Sequence, residues 1–146
     1  MIPSIEFSQK LSQAYQNACH SLCQSLHLPQ TAFDILLFLG NNPQYSTARD
    51  IVEVRMIKAN LVSVNVSRLV SEGYLIRQED VHDRRVTHLQ LTEKAQPVIA
   101  QGQALQRSFF EGLLEDVSPA DRTVFFSVLE AMHRSLDRNL RGDSER

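Results

Sequence analysis

The sequence predicts a mainly α-helical chain with one small β-hairpin. Three observations carry that reading. Apolar residues recur at helical spacing over most of the 146 residues. One stretch, residues 75–91, changes to a two-residue period. Turn signals at Pro29, Gly40, Gly73 and Ser118-Pro119 separate the segments.

The first helix is expected over about residues 4–26, where Leu11, Tyr15, Ala18, Leu22 and Leu26 form one stripe. Cys19 lies at the stripe's edge, Cys23 further off, and His20 on the opposite side. Pro29 resets the chain. Residues 31–39 are apolar almost all round, as in a buried helix. Gly40, followed by Asn41, Asn42 and Pro43, is expected to end that helix as a left-handed cap and turn. Ser46 is the expected N-cap of a short third helix over 47–54, with Ile51 and Val52 facing inward.

A turn through Arg55 and Met56 leads to a fourth helix over about 58–72, stopped by Gly73. Its inner side is Val62, Asn65, Val66 and Leu69; its outer side is Asn60, Ser63, Val64, Ser67 and Ser71, flanked by Leu61 and Arg68. Residues 75–79 read as a strand, 80–84 as a polar loop and 85–91 as the returning strand. Thr87, Leu89 and Leu91 share one face of that second strand. Thr92 is the expected cap of a fifth helix reaching about residue 115, with Pro97 beyond its first turn, where it would bend the helix. Ser118, Pro119 and Asp121 read as N-cap, N1 and N3 of a sixth. Phe125, Val128, Leu129, Met132, Leu136 and Leu140 form its apolar stripe, and 141–146 reads as a frayed tail.

Lys+Arg total 15 against 17 Asp+Glu, a formal net charge of −2. That balance supplies no bulk attraction to nucleic acid or to an anionic membrane. The distribution is uneven, however. Before Arg49 the only charged residues are Glu6, Lys10 and Asp34. A helix so poor in charge is either covered by its own domain or a second subunit, or presents a solvated glutamine and serine face. Between Val54 and Ser71 stand Arg55, Lys58 and Arg68 with no acid, and Arg84-Arg85 follow in the hairpin loop.

No apolar run reaches the roughly 18 residues of a membrane span, and the N-terminus lacks the pattern of a secretory signal, so a cytoplasmic protein is expected. Cys19 and Cys23 read as buried, inert thiols. With His20 and His27 nearby they still fall short of a tetrahedral zinc set, so no metal and no cofactor are expected. No nucleophile–base pair or phosphate loop is present, and an enzyme is not expected.

A short helix, a tight turn, a longer helix with a small polar outer face, then a basic-tipped hairpin: this is the outline of a winged helix-turn-helix. The fourth helix suits a major groove, where Asn60, Ser63, Val64 and Ser67 would meet base edges and thymine methyls. Arg55, Lys58 and Arg68 stand where phosphates would flank it, and Arg84 and Arg85 could enter a minor groove.

Two segments, Val66-Ser67-Arg68-Leu69-Val70-Ser71-Glu72-Gly73-Tyr74-Leu75 and Asp83-Arg84-Arg85-Val86-Thr87-His88-Leu89-Gln90-Leu91-Thr92-Glu93-Lys94, stand in and around this outline. Together they resemble the MarR family of transcriptional regulators. The second matches the family's wing pattern of Asp-x-Arg, several strand residues, then Leu-Thr. Ala95 departs from the glycine common at that position, and Val64 from a longer polar or basic residue.

The resemblance implies a homodimer built from interlocked N- and C-terminal helices, reading a palindromic duplex. It implies that Arg85 is the wing arginine and that Asp83 orients it. It also implies a small aromatic or anionic effector. Redox sensing does not carry over, because Cys19 and Cys23 lie toward the end of the first helix. The expected division is a helical dimerisation region at 1–30 and 93–146 around a winged lobe at 31–92. The function expected is that of a ligand-responsive repressor; the alternative is a winged-helix protein-interaction module without sequence-specific DNA binding.

Overall fold

A computed structural model describes residues 5–144 of the chain. It is mainly helical, with six helices and one antiparallel hairpin. The order is α1 (Ile5–Leu26), α2 (Gln30–Asn41), α3 (Ala48–Asp50, continuing as one π-helical turn, Ile51–Arg55), α4 (Ala59–Ser71), β1 (Leu75–Glu79), β2 (Thr87–Leu91), α5 (Ala95–Leu113) and α6 (Pro119–Ser144). The chain divides into two compact units, Met1–Phe109 and Phe110–Arg146.

The core of the first unit is built around α2. Phe33, Ile35, Leu36 and Leu37 are all but fully buried. No side chain caps the start of α2 at Pro29. The missing cap forgoes about 1 kcal/mol, whereas each large apolar side chain buried contributes roughly 1.5–3 kcal/mol. Tertiary burial therefore holds this helix.

Gly40 does not end α2 as the sequence suggested. It lies inside the helix, and a Cβ there would stand 2.8 Å from Ile99 Cγ2 of α5. The glycine serves close helix approach, and the end is made by Asn42, whose backbone N–H and side-chain amide both donate to Phe38 O. Gly73, at φ +84°, does stop α4, as expected.

In α1 the buried side chains are Cys19 and Cys23, while Ala18 is exposed. The stripe is thus rotated toward the cysteines, because α1 packs on α2 and Tyr15 meets Phe109 edge to face at 5.5 Å. The expected start at Ser4 and the last tail residues lie outside the described residues. Residues 141–144, expected to fray, continue α6.

The hairpin pairs Leu75 with Leu91 and Glu79 with Thr87. Leu89 of the middle pair is buried and Thr87 exposed, so the half of the hairpin nearer the tip lies outside the core. β2 begins at Thr87, two residues later than expected. Asp80 N–H donates to Val86 O and Val86 N–H to Asp83 O, which keeps Arg85 and Val86 in the wing loop.

Thr92 does not cap α5: its hydroxyl donates to Gly73 O and its N–H to Tyr74 O. The helix starts at Ala95, so Pro97 falls in the first turn, where a missing N–H breaks no helical bond.

In the second unit, Ser118 caps α6 as expected, its Oγ accepting from Asp121 N–H. The Arg122 guanidinium donates to Leu114 O and, from Nε, to Val117 O at 3.0 Å, fastening the turn before the helix. The α6 stripe residues Phe125, Val128, Leu129, Met132, Leu136 and Leu140 are all 45–58% exposed. No described helix is long and apolar enough to cross a membrane.

Candidate nucleic-acid interface

α3 and α4 form the helix pair. The N-cap of α3 is Thr47, not Ser46. Thr47 Oγ1 accepts from Asp50 N–H, and Asp50 Oδ2 accepts from Thr47 N–H at 2.9 Å, a closed capping box. Oδ2 also accepts from Ser46 N–H at 3.0 Å. Desolvation works to raise the Asp50 pKa, but the Thr47 and Ser46 hydrogen bonds outweigh it and hold the carboxyl below its usual value. Ser46 is thereby free for another partner. The π-turn ends at Met56, which adopts φ 62° and turns the chain toward α4.

α4 buries Val62, Asn65, Val66 and Leu69, the inner side read from the sequence. Asn65 satisfies its amide on Leu61 O at 2.8 Å. Asn60, Ser63, Val64 and Ser67 are exposed on the outer side, Val64 at 68%. Lys58 stands at the cap position rather than inside the helix and is exposed.

The flanking arginines are tied within the chain. Arg55 Nη2 lies 3.4 Å from Asp34 Oδ2. Asp34 is largely buried, and that desolvation raises its pKa, against the lowering effects of Gln30 and Arg55. Arg68 pairs with Glu72 at 2.9 Å and donates to His27 O at 3.0 Å. Both arginines therefore have protein partners at the edges of the α4 face.

One cation beside this face was not singled out in the sequence. Arg77, on β1, donates from Nη2 to Ser67 Oγ at 3.1 Å. Period-two alternation held the signal: Arg77 lies on the same strand face as buried Leu75.

The wing loop is organised by two aspartates. Asp80 Oδ1 accepts the N–H groups of His82 (2.8 Å) and Asp83 (3.0 Å), and Oδ2 lies 2.7 Å from His88 Nε2. The His88 hydrogen bond, then those two N–H groups, hold the Asp80 carboxyl below its usual range. Asp83 accepts Arg85 N–H at 3.0 Å and grips the guanidinium from both oxygens, at 3.1 Å to Nε and 3.0 Å to Nη2. That clamp lowers the Asp83 pKa and raises that of Arg85. The Arg85 side chain is 90% exposed, so the clamp aims the guanidinium without covering it. Arg84 beside it is exposed.

The cysteines are free and buried. Burial pushes the Cys23 thiol up to about 11. Among the described residues no group of His, Cys, Asp or Glu could hold a metal ion.

Comparison with known proteins bears on this arrangement. The resemblance to the MarR family holds: the family's model matches residues 28–86, from the start of α2 into the wing. The comparison with curated proteins finds no match. Among solved structures, the chain is similar to a protein from Listeria monocytogenes assigned to the MarR family of transcriptional regulators and complexed with 26mer DNA. The identity is 16% and the TM-score 0.83, over 95% of this chain and 92% of that one. A MarR protein from Peptoclostridium difficile is 18% identical, with a TM-score of 0.81 over 95% and 92%. An organohalide-sensing transcriptional regulator in a 2,4-dichlorophenol-bound form is 19% identical, with a TM-score of 0.66 over 90% and 77%. The fold is the winged helix-turn-helix of these structures.

Proposed function

We propose that this chain, whose winged lobe matches the MarR family, is a cytoplasmic DNA-binding transcriptional regulator acting as a homodimer on a palindromic duplex. One juxtaposition carries the reading. An exposed helix face of short uncharged side chains, Asn60, Ser63, Val64 and Ser67, is joined through Arg77–Ser67 to a hairpin whose Arg85 is aimed into solvent by Asp83. Short side chains let the backbone of α4 approach base edges closely. A clamped, exposed guanidinium meets a phosphate or minor groove with little further ordering. Lys58, Arg84 and Arg77 add charge around the face, and Arg55 and Arg68 would exchange their present partners for phosphates.

Dimerisation is supported by the exposed apolar stripe of α6 and, separately, by exposed Ile5 and Phe7 of α1, since apolar side chains grouped on a helix face and left to solvent suit a partner surface. A C2 dimer presents two such faces and hence selects two half-sites about one helical turn apart. The solved structure bound to DNA and the one bound to a chlorinated phenol support duplex binding and a small aromatic effector, respectively. The regulator is then a ligand-responsive repressor, without enzymatic activity.

Selection of the purified dimer against random duplexes is the decisive test. Recovery of an inverted repeat bound more weakly as salt rises supports the reading, since phosphate contacts release counterions. No sequence preference at any salt would sink it and favour a protein-interaction module, in which Val64 and Leu61 form an apolar contact surface.

A further inference from the structure

The hairpin is the part of the interface that burial holds least. Leu75 at its base and Leu89 at its middle pair enter the core, while Ile76 to Glu79 and the tip at Val81 are exposed. A two-stranded hairpin on its own is marginal in water. Something other than apolar packing must hold Arg85 in place against α3 and α4.

Polar ties to α3 and α4 do this: Leu89 N–H donates to Ser46 O, Arg77 to Ser67 Oγ, and, among the described residues, the His88 ring alone reaches from Ser46 to the wing loop. Its Nδ1 lies 2.7 Å from Ser46 Oγ and its Nε2 lies 2.7 Å from Asp80 Oδ2. A carboxylate only accepts, so Nε2 carries a proton and donates to Asp80; in the neutral ring Nδ1 then accepts the Ser46 hydroxyl proton. Ser46 is itself pinned. Its N–H donates to Asp50 in the α3 capping box, and its carbonyl accepts Leu89 N–H at 2.6 Å, beside the Thr47–His88 bridge. From Asp80 the path continues through the N–H groups of His82 and Asp83 to the Asp83 carboxylate and the Arg85 guanidinium. Every link from the α3 cap to the wing arginine is thus a hydrogen bond or a single residue.

We infer that His88 is a positioning residue, tying the start of the helix pair to the wing through Ser46 and Asp80 so that Arg85 meets the duplex in register with α4. The inference rests on the DNA-binding function proposed above, and it deepens that function by naming what sets wing geometry. His88 does not touch the duplex; it acts through Asp80.

The full-length protein is tested in two ways. Amide hydrogen exchange by NMR, without DNA, reads the wing. In His88→Leu the amides of His82, Asp83 and Arg85 should exchange about tenfold faster, as expected for the loss of one net hydrogen bond, while α2 amides keep their protection. His88→Gln, which keeps a donor, should restore part of that protection. Asp80→Asn, which leaves the ring in place, is the second variant should His88→Leu fold poorly.

Binding to a mixed-sequence duplex three helical turns long is measured across salt. His88→Leu should lower the salt slope as Arg85→Ala does, and the double variant should bind no more weakly than Arg85→Ala alone. Unchanged wing amides, or additive losses in the double variant, would overturn the inference. Wild type that binds the duplex no better than His88→Leu would overturn it while leaving DNA binding intact. Wild type that binds no duplex at any salt would remove the regulator function and this role with it.

Discussion

Leu136→Ala in α6 separates the homodimer from the monomer most cleanly. Leu136 is 56% exposed in the single chain, so roughly half of its transfer free energy remains to be gained. Full burial of a leucine contributes about 1.5–3 kcal/mol, which leaves about 1–1.5 kcal/mol for Leu136 in an interface. A C2 dimer carries the residue twice. The expected loss is therefore about 2–3 kcal/mol, or a roughly 30- to 150-fold rise in the dimer dissociation constant. Alanine keeps full helix propensity, and an exposed side chain contributes little to the monomer. Sedimentation equilibrium over a concentration series measures the shift. Arg134→Ala, on the polar side of the same helix, serves as the control and should change nothing. If wild type sediments as a monomer throughout, or Leu136→Ala dimerises as tightly as wild type, the stripe is not a dimer interface.

Four further outcomes concern the wing, the α3 cap and the α1 thiol. Arg85→Ala should leave thermal stability unchanged, because the side chain is 90% exposed, yet should lower the salt slope of duplex binding by about 2 per dimer, one for each wing; an unchanged slope speaks against a phosphate contact. Thr47→Ala removes the α3 cap and should cost about 1 kcal/mol, a fall of roughly 3–5 °C in Tm by calorimetry. Its partner Asp50 has a depressed folded-state pKa, so its contribution is present above the unfolded value of about 3.9 and disappears as pH falls through the lower folded value. The Tm difference between wild type and Asp50→Asn should therefore be full at neutral pH and shrink below about pH 4; an equal difference at both ends means the carboxylate charge is not what caps the helix. Finally, with its thiol raised to about 11, Cys23 should resist a thiol-alkylating reagent at neutral pH until the chain is unfolded, as followed by mass spectrometry; rapid labelling of the native protein would contradict its burial.

Where local chemistry decides an element, it was legible in the chain. β1 is legible to the residue, because Gly73 stops the helix before it and the polar run from Asp80 follows it. The inner side of α4 was read in full, because Val62, Asn65, Val66 and Leu69 recur on one face whatever packs against them. The α6 cap was legible because Ser118 reaches only its own third residue on, Asp121. Where a partner from elsewhere in the chain decides, the reading shifted. Gly40 looks like a helix stop in sequence, yet the approach of Ile99 makes it a helix interior. Ser46 and Thr47 are both plausible caps; His88, 42 residues away, takes the first and leaves the second to Asp50.

The same division runs through the site. The sequence by itself determined that a short polar helix face precedes a wing bearing Asp83-x-Arg85, and that bases gather there in a near-neutral chain. It did so because helix period, strand period and a two-residue carboxylate–guanidinium spacing are short-range properties. Only the tertiary structure decided which arginines are occupied. It turned Arg55 to Asp34 and Arg68 to His27, brought Arg77 to Ser67, and joined His88 to both Ser46 and Asp80. Those pairings span 10 to 42 residues in all but one case, and no local periodicity encodes which distant backbone or side chain a long polar group will meet once the core has closed.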